Sequence, residues 1–196
     1  LAGTYCEDEL PVTLSLTDDN NIAGTWSPST VSIGTADYTF TPAATECATP
    51  LTVSITVDPL ATPVFAGLAG TYCEDAIPTL ELTDDNSIAG TWSPATVTVG
   101  TANYTFTPAD GVCASPLTVS ITVDPLATPV FADLATTYCA DELPVTLPLI
   151  DDNDIDGTWS PTTVTATGDY VFTPASEECA SPLTVSITVD PLATPV

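Results

Sequence analysis

The sequence predicts an all-β chain: tandem small antiparallel β-sandwiches, three in 196 residues, set end to end in a rod. Three observations predict this. A segment of about 66 residues occurs three times, apolar residues within each copy alternate with a period of two, and 19 prolines spread through all copies leave no room for a long helix.

The repeat is read directly. Leu1-Ala-Gly-Thr-Tyr-Cys6 returns as Leu68–Cys73 and, altered, as Leu134-Ala-Thr-Thr-Tyr-Cys139. LTVSITVDPLATPV stands unchanged at Leu51–Val64, Leu117–Val130 and Leu183–Val196. Repeat 1 is therefore expected at residues 1–62 with its first strand truncated, repeat 2 at 63–128 and repeat 3 at 129–194, with 195–196 opening another copy. The sequence contains no Met and breaks at a joint at both ends, so it reads as a window cut from a longer tandem array. No apolar run approaches the roughly 18 residues that would span a bilayer.

The elements of one copy follow in order. Pro63–Phe65 and its continuation open the fold, and further strands are expected at 12–16, 24–27, 30–33, 37–41 and 51–57. Leu51, Val53, Ile55 and Val57 share one face of the last strand, while Thr52, Ser54 and Thr56 share the other, the pattern of a half-buried strand. Gly24, Gly90 and Gly157 close turns. Two sheets packed face to face bury the apolar faces. Asp58-Pro-Leu-Ala-Thr-Pro63 and its copies, with two prolines in six residues, make extended, semi-rigid linkers.

Charge removes whole classes of function. There are 26 Asp and Glu residues and no Lys, Arg or His, a formal charge of −26. Nothing can neutralise phosphates, so nucleic acid and direct binding to an anionic membrane are excluded. No imidazole base or Schiff-base amine exists. Paired carboxylates could serve a glycosidase or an aspartic protease, but here they sit on turns of small repeated units, without Asp-Thr-Gly or Asp-Ser-Gly. The chain reads as a non-enzyme that requires no cofactor.

Each copy has two cysteines: Cys6 and Cys47, Cys73 and Cys113, Cys139 and Cys179. Repeat symmetry favours one bridge inside each copy, over free buried thiols or a zinc site. A sandwich of about 66 residues is small enough to need such a staple, and closing a ~40-residue loop is worth about 4 kcal/mol in the chain-entropy model. Paired cysteines imply an extracellular or cell-surface location.

Between the cysteines lies one tryptophan per copy, in Gly24-Thr-Trp-Ser-Pro28, Gly90-Thr-Trp-Ser-Pro94 and Gly157-Thr-Trp-Ser-Pro161. The order Cys, Trp, Cys resembles immunoglobulin domains, where Trp packs in the core; an exposed sugar platform is the other reading. Together with Tyr38-Thr-Phe-Thr-Pro-Ala43 and the closing LTVSITVDP, these motifs resemble the Ig-like tandem repeats of giant secreted surface proteins of Bacteroidetes. That resemblance implies an Ig-like fold, export by type IX secretion, and an adhesin, gliding-associated or appendage protein. The lack of basic residues sets this chain apart from the family, so no family ligand is carried over.

The acidic turns are the remaining candidates for chemistry. They read Thr17-Asp-Asp-Asn-Asn-Ile-Ala-Gly24, Thr83-Asp-Asp-Asn-Ser-Ile-Ala-Gly90 and Ile150-Asp-Asp-Asn-Asp-Ile-Asp-Gly157. Only the third spaces Asp152, Asp154 and Asp156 alternately before a glycine, as in a Ca²⁺ loop, although Thr163 stands where a bidentate Glu belongs. A solvated hairpin turn explains the same residues. The sequon at Asn103 occurs in one copy only and reads as accidental. Near-identical units favour a self-associating stalk or homomeric fibre, against a spacer or binding module for a glycan or surface reached through other domains.

Overall fold

The computed structural model describes residues 3–193. Residues 195–196, where another copy was expected to open, lie outside the described residues. The chain is all-β, with 45% of its residues in strands. Among the described residues the helical elements are three single 3₁₀ turns, Glu7–Glu9, Glu74–Ala76 and Ala140–Glu142. Among the described residues no helix is long and apolar enough to cross a membrane.

Repeat 1 forms β1 (Gly3–Cys6), β2 (Gly24–Ser27), β3 (Gly34–Pro42) and β4 (Leu51–Asp58). They make one sheet in the order β1-β4-β3-β2. Repeat 2 forms β5 (Gly70–Cys73), β6 (Gly90–Ser93), β7 (Gly100–Pro108) and β8 (Leu117–Asp124), in the equivalent order β5-β8-β7-β6. Repeat 3 adds two short strands: β9 (Thr137–Cys139), β10 (Val145–Thr146), β11 (Gly157–Ser160), β12 (Thr163–Val164), β13 (Gly168–Pro174) and β14 (Leu183–Asp190).

Alternation explains the strands. In β4, Ile55 and Val57 are buried while Thr52, Ser54 and Asp58 face outward or half outward. Across the outer face Thr35 pairs with Thr56 and Thr39 with Thr52 through hydroxyl hydrogen bonds of 2.9 Å each. These hydroxyls bond to one another and stiffen the sheet. The inner face is covered by a second layer. Leu10, Leu14 and Val31 pack on Tyr38, Ile55 and Val57, and in repeat 3 Leu147 and Val164 pack on Tyr170, Phe172 and Ile187. Each fully buried side chain of this size contributes roughly 1.5–3 kcal/mol.

Three expectations are corrected. The sheets are not purely antiparallel: β1 runs parallel to β4, with Gly3 opposite Ile55 and Cys6 opposite Asp58. The segments at 12–16 and 30–33 are regular strands only in repeat 3, where β10 pairs with β12; in repeat 1 they cover the sheet without a ladder. Pro63–Phe65 is not a strand but an irregular segment whose Pro63 is buried.

The chain divides into two compact units that do not follow the repeats. One holds 1–69, 79–96 and 103–120, and the other 70–78, 97–102 and 121–196. The joint at Pro63 lies wholly inside the first unit, and the joint at Pro129 wholly inside the second.

Candidate functional site at the repeat joints

The joint is built from four sequence features: the acidic turn, the Trp strand, the linker and the two cysteines. In the first unit, Val64 donates its N–H to Asp84 Oδ2 at 2.8 Å, and Asp85 donates its N–H back to the Val64 carbonyl at 2.9 Å. Ala66 then donates to Asp85 Oδ2 at 2.9 Å. The second unit repeats every bond: Val130 to Asp151 at 2.7 Å, Asp152 to Val130 at 2.8 Å, and Ala132 to Asp152 at 2.7 Å.

Asp84 also caps its own turn. Its Oδ1 accepts the N–H groups of Asn86 at 2.9 Å and Ile88 at 2.7 Å. Ser87 takes the positive φ of 69° that this tight turn demands, as Asn21 and Asp154 do in the other copies. Burial pushes the Asp84 carboxyl up, but the N–H groups of Val64, Ile88 and Asn86 and the Asn86 amide outweigh it and hold the group below its ordinary 3.8. Asp151 is lowered in the same way by Val130, Ile155 and Asn153. Both aspartates are only 5% exposed.

Beside this clasp the aromatic rings close. Phe65 sits 4.9 Å from Trp92 and 4.8 Å from Phe106, centroid to centroid, the second pair edge to face. Phe131 makes the same triad with Trp159 at 5.0 Å and Phe172 at 4.8 Å. The indole N–H of Trp92 bonds the Glu81 carbonyl at 2.8 Å, and that of Trp159 bonds the Pro148 carbonyl at 2.7 Å. Both indoles are buried core residues, not sugar platforms. Gly90 is required here, because a Cβ would strike the Phe106 ring.

The linker is pinned along its length. Leu60 donates its N–H to Glu7 Oε2 at 3.3 Å. Ala61 donates to the Cys113 carbonyl at 2.9 Å and accepts from the Ser115 N–H at 2.8 Å. Ala127 holds Cys179 and Ser181 in the same way, both bonds 2.8 Å.

The cysteine pairing departs from the sequence expectation. Cys6 bonds Cys113 and Cys73 bonds Cys179, each pair with a Cα separation of 5.1 Å, while Cys47 and Cys139 are exposed free thiols. Each bridge joins the first cysteine of one repeat to the second of the next. The reason is strand length. Cys6 lies opposite Asp58 at the end of β4, whereas Cys47 precedes Leu51 at its start. Eight residues at ~3.3 Å each hold those two about 26 Å apart, far beyond the ~7 Å Cα limit of a disulfide. The linker that follows Asp58 instead carries Ala61 to Cys113, delivering the two partners to one place.

The three candidate calcium ligands do not converge. Asp152 Oδ2 is engaged by the Ala132 N–H, Asp154 occupies the left-handed turn position at φ 65°, and exposed Asp156 bridges back to Ile150. Among the described residues no three Cys, Asp or Glu side chains gather closely enough to hold a metal. The sequence reading missed Asp151, which does the structural work. The signal was present: the aspartate at Asp18, Asp84 and Asp151 occurs in all three copies, whereas the alternating triad occurs in one.

No family model and no curated protein matches the chain. Among solved structures it is similar to the extracellular domains 3–5 of Drosophila OTK, with 13% identity and a TM-score of 0.26 over 81% of this chain and 71% of that one. The two disulfides mark the chain as a secreted or extracellular β-protein, made in an oxidising setting.

Proposed function

We propose that the chain is the structural repeat array of an extracellular surface appendage, a stalk or homomeric filament serving adhesion or cell contact. One observation carries this reading: each joint is fastened three times, by a disulfide, by linker backbone bonds and by a Pro-Val-Phe segment seated on the next repeat. A joint fastened at three points transmits force from one repeat to the next. Identical surfaces at a fixed interval multiply a weak contact between chains. With no cation in the sequence those contacts come from apolar and Thr/Ser patches.

The test is electron microscopy and sedimentation of the purified chain, with antibody labelling of the native cell surface. Multi-chain filaments and surface labelling are expected. Single chains at every concentration, with no label on the surface, would overturn the reading.

A further inference from the structure

Each disulfide runs beside a linker. Cys6 lies opposite Asp58 in the parallel β1–β4 ladder, and the Cys113 carbonyl accepts the N–H of Ala61 at 2.9 Å. Two covalent routes therefore join the same two places. One is the main chain Asp58-Pro59-Leu60-Ala61, and the other is the Cys6–Cys113 bridge. The second joint repeats the plan. Cys73 lies opposite Asp124, the Cys179 carbonyl accepts from Ala127 at 2.8 Å, and the bridge joins Cys73 to Cys179.

Connectivity gives this doubling its consequence. The bridges close overlapping loops, 6–113 and 73–179, so every peptide bond from Cys6 to Cys179 lies inside at least one of them. Bridges within single repeats would leave 48–72 and 114–138 uncovered, and both linkers fall there. The linkers are where cover matters. Asp58, Pro59, Ala61 and Thr62 are exposed, as are Asp124, Pro125, Ala127 and Thr128, and exposed connecting chain is where scission concentrates. Both sides of such a cut are also held in place. Asp58 ends a strand paired with β1, while Leu60 donates to Glu7 Oε2 at 3.3 Å and Ala61 accepts from the Ser115 N–H at 2.8 Å. At the second joint Leu126 donates to Glu74 Oε2 at 3.3 Å, and Ala127 accepts from the Ser181 N–H at 2.8 Å.

We propose that each bridge is a second covalent connection laid alongside its linker, so that neighbouring repeats part only when the linker is cut and the bridge is reduced. Hydrolysis adds one water across the Asp58–Pro59 bond, leaving a carboxyl group on Asp58 and a secondary amine on Pro59, and does not touch the bridge. Reduction takes two electrons and two protons from a dithiol, which becomes a disulfide as Cys6 and Cys113 become thiols. Either step alone leaves one covalent route in place. Both together release the repeat. The interlock stands on the joint geometry and holds whether or not the chain forms an appendage.

The experiment is scission of the full chain at its Asp–Pro bonds after Cys47 and Cys139 have been alkylated. Warm dilute acid cleaves such bonds ahead of others, because the aspartate carboxyl attacks its own peptide carbonyl and the proline nitrogen leaves readily. Acid also keeps thiols protonated, so the bridges do not exchange. Cuts after Asp58, Asp124 and Asp190 give 1–58, 59–124, 125–190 and 191–196. On denaturing gels the three long fragments should run as one joined species without dithiothreitol and as three separate fragments with it. The uncut chain should run as one band either way. Cys113→Ser should release 1–58 without reductant and leave 59–124 joined to 125–190, while Cys73→Ser should release 125–190 and leave the other two joined. Wild-type fragments that part without reductant, or one and the same fragment released by both variants, would overturn the proposal.

Discussion

Val64 and Asp84, twenty residues apart, are tied across the first joint by a 2.8 Å bond from backbone N–H to carboxylate. The same aspartate caps the turn that opens the Trp strand through Asn86 and Ile88. One side chain therefore couples the incoming linker to the core of the repeat it enters. Loss of the Asp84 carboxylate takes the acceptor away from the Val64, Asn86 and Ile88 N–H groups at once, the costly way to lose hydrogen bonds.

The first expectation concerns pH. Asp84 and Asp151 have folded values below the ordinary 3.8, so each adds stability that is present above that value and is lost as pH falls through the lowered folded one. Acidification also neutralises the other carboxylates and relieves their repulsion, so the wild-type curve mixes two opposed effects. The double variant D84N/D151N separates them. The melting-temperature gap between wild type and variant should be widest near neutral pH and close below about pH 4. A gap independent of pH would show that the two carboxylates contribute no charge-dependent stability.

The Phe65→Ala variant should cost about 3 kcal/mol in the melt of the first unit, the low end for a Phe deletion because the ring is only half-buried. The indole N–H resonance of Trp92 should shift, since its neighbouring ring is gone, while that of Trp159 stays in place. An unmoved Trp92 resonance would mean that the segment does not rest there.

Salt should stabilise the chain. With −26 and no side-chain cation, every charge–charge term between side chains is repulsive, and raising NaCl from 0.05 to 1 M screens it. The melting temperature should climb steadily over that range. Calcium and magnesium at matched ionic strength should act alike, because Asp152, Asp154 and Asp156 are not gathered as a ligand set. A rise specific to calcium would restore the loop as a metal site.

Much of the fold was legible from alternation and repetition. The strands expected at 24–27 and 51–57 were found at Gly24–Ser27 and Leu51–Asp58, and that at 37–41 lies within Gly34–Pro42. Local pattern sufficed there because each strand buries its own alternate residues. The joint was not legible in the same way. Cys6 with Cys47 and Cys6 with Cys113 respect the repeat symmetry equally, and only the parallel register of β1 on β4 decides between them. Parallel pairing links residues fifty positions apart and leaves no turn signal in the sequence. Asp151 was passed over for a related reason: its partner Val130 is twenty-one residues away, while the calcium-like spacing was local and easy to see.

The cross-repeat joint is tested most directly by peptide mapping of the non-reduced chain, blocked with alkylating reagent and cut at aspartate and glutamate, since trypsin has no Lys or Arg to recognise. The map should show Cys6 joined to Cys113 and Cys73 to Cys179, with the alkyl label on Cys47 and Cys139. Each bridge closes a loop of about 100 residues, worth about 4.7 kcal/mol in the chain-entropy model, so reduction should lower the melting temperature sharply. Peptides joining Cys6 to Cys47, Cys73 to Cys113 and Cys139 to Cys179 would contradict the joint as described and return the chain to separately stapled units.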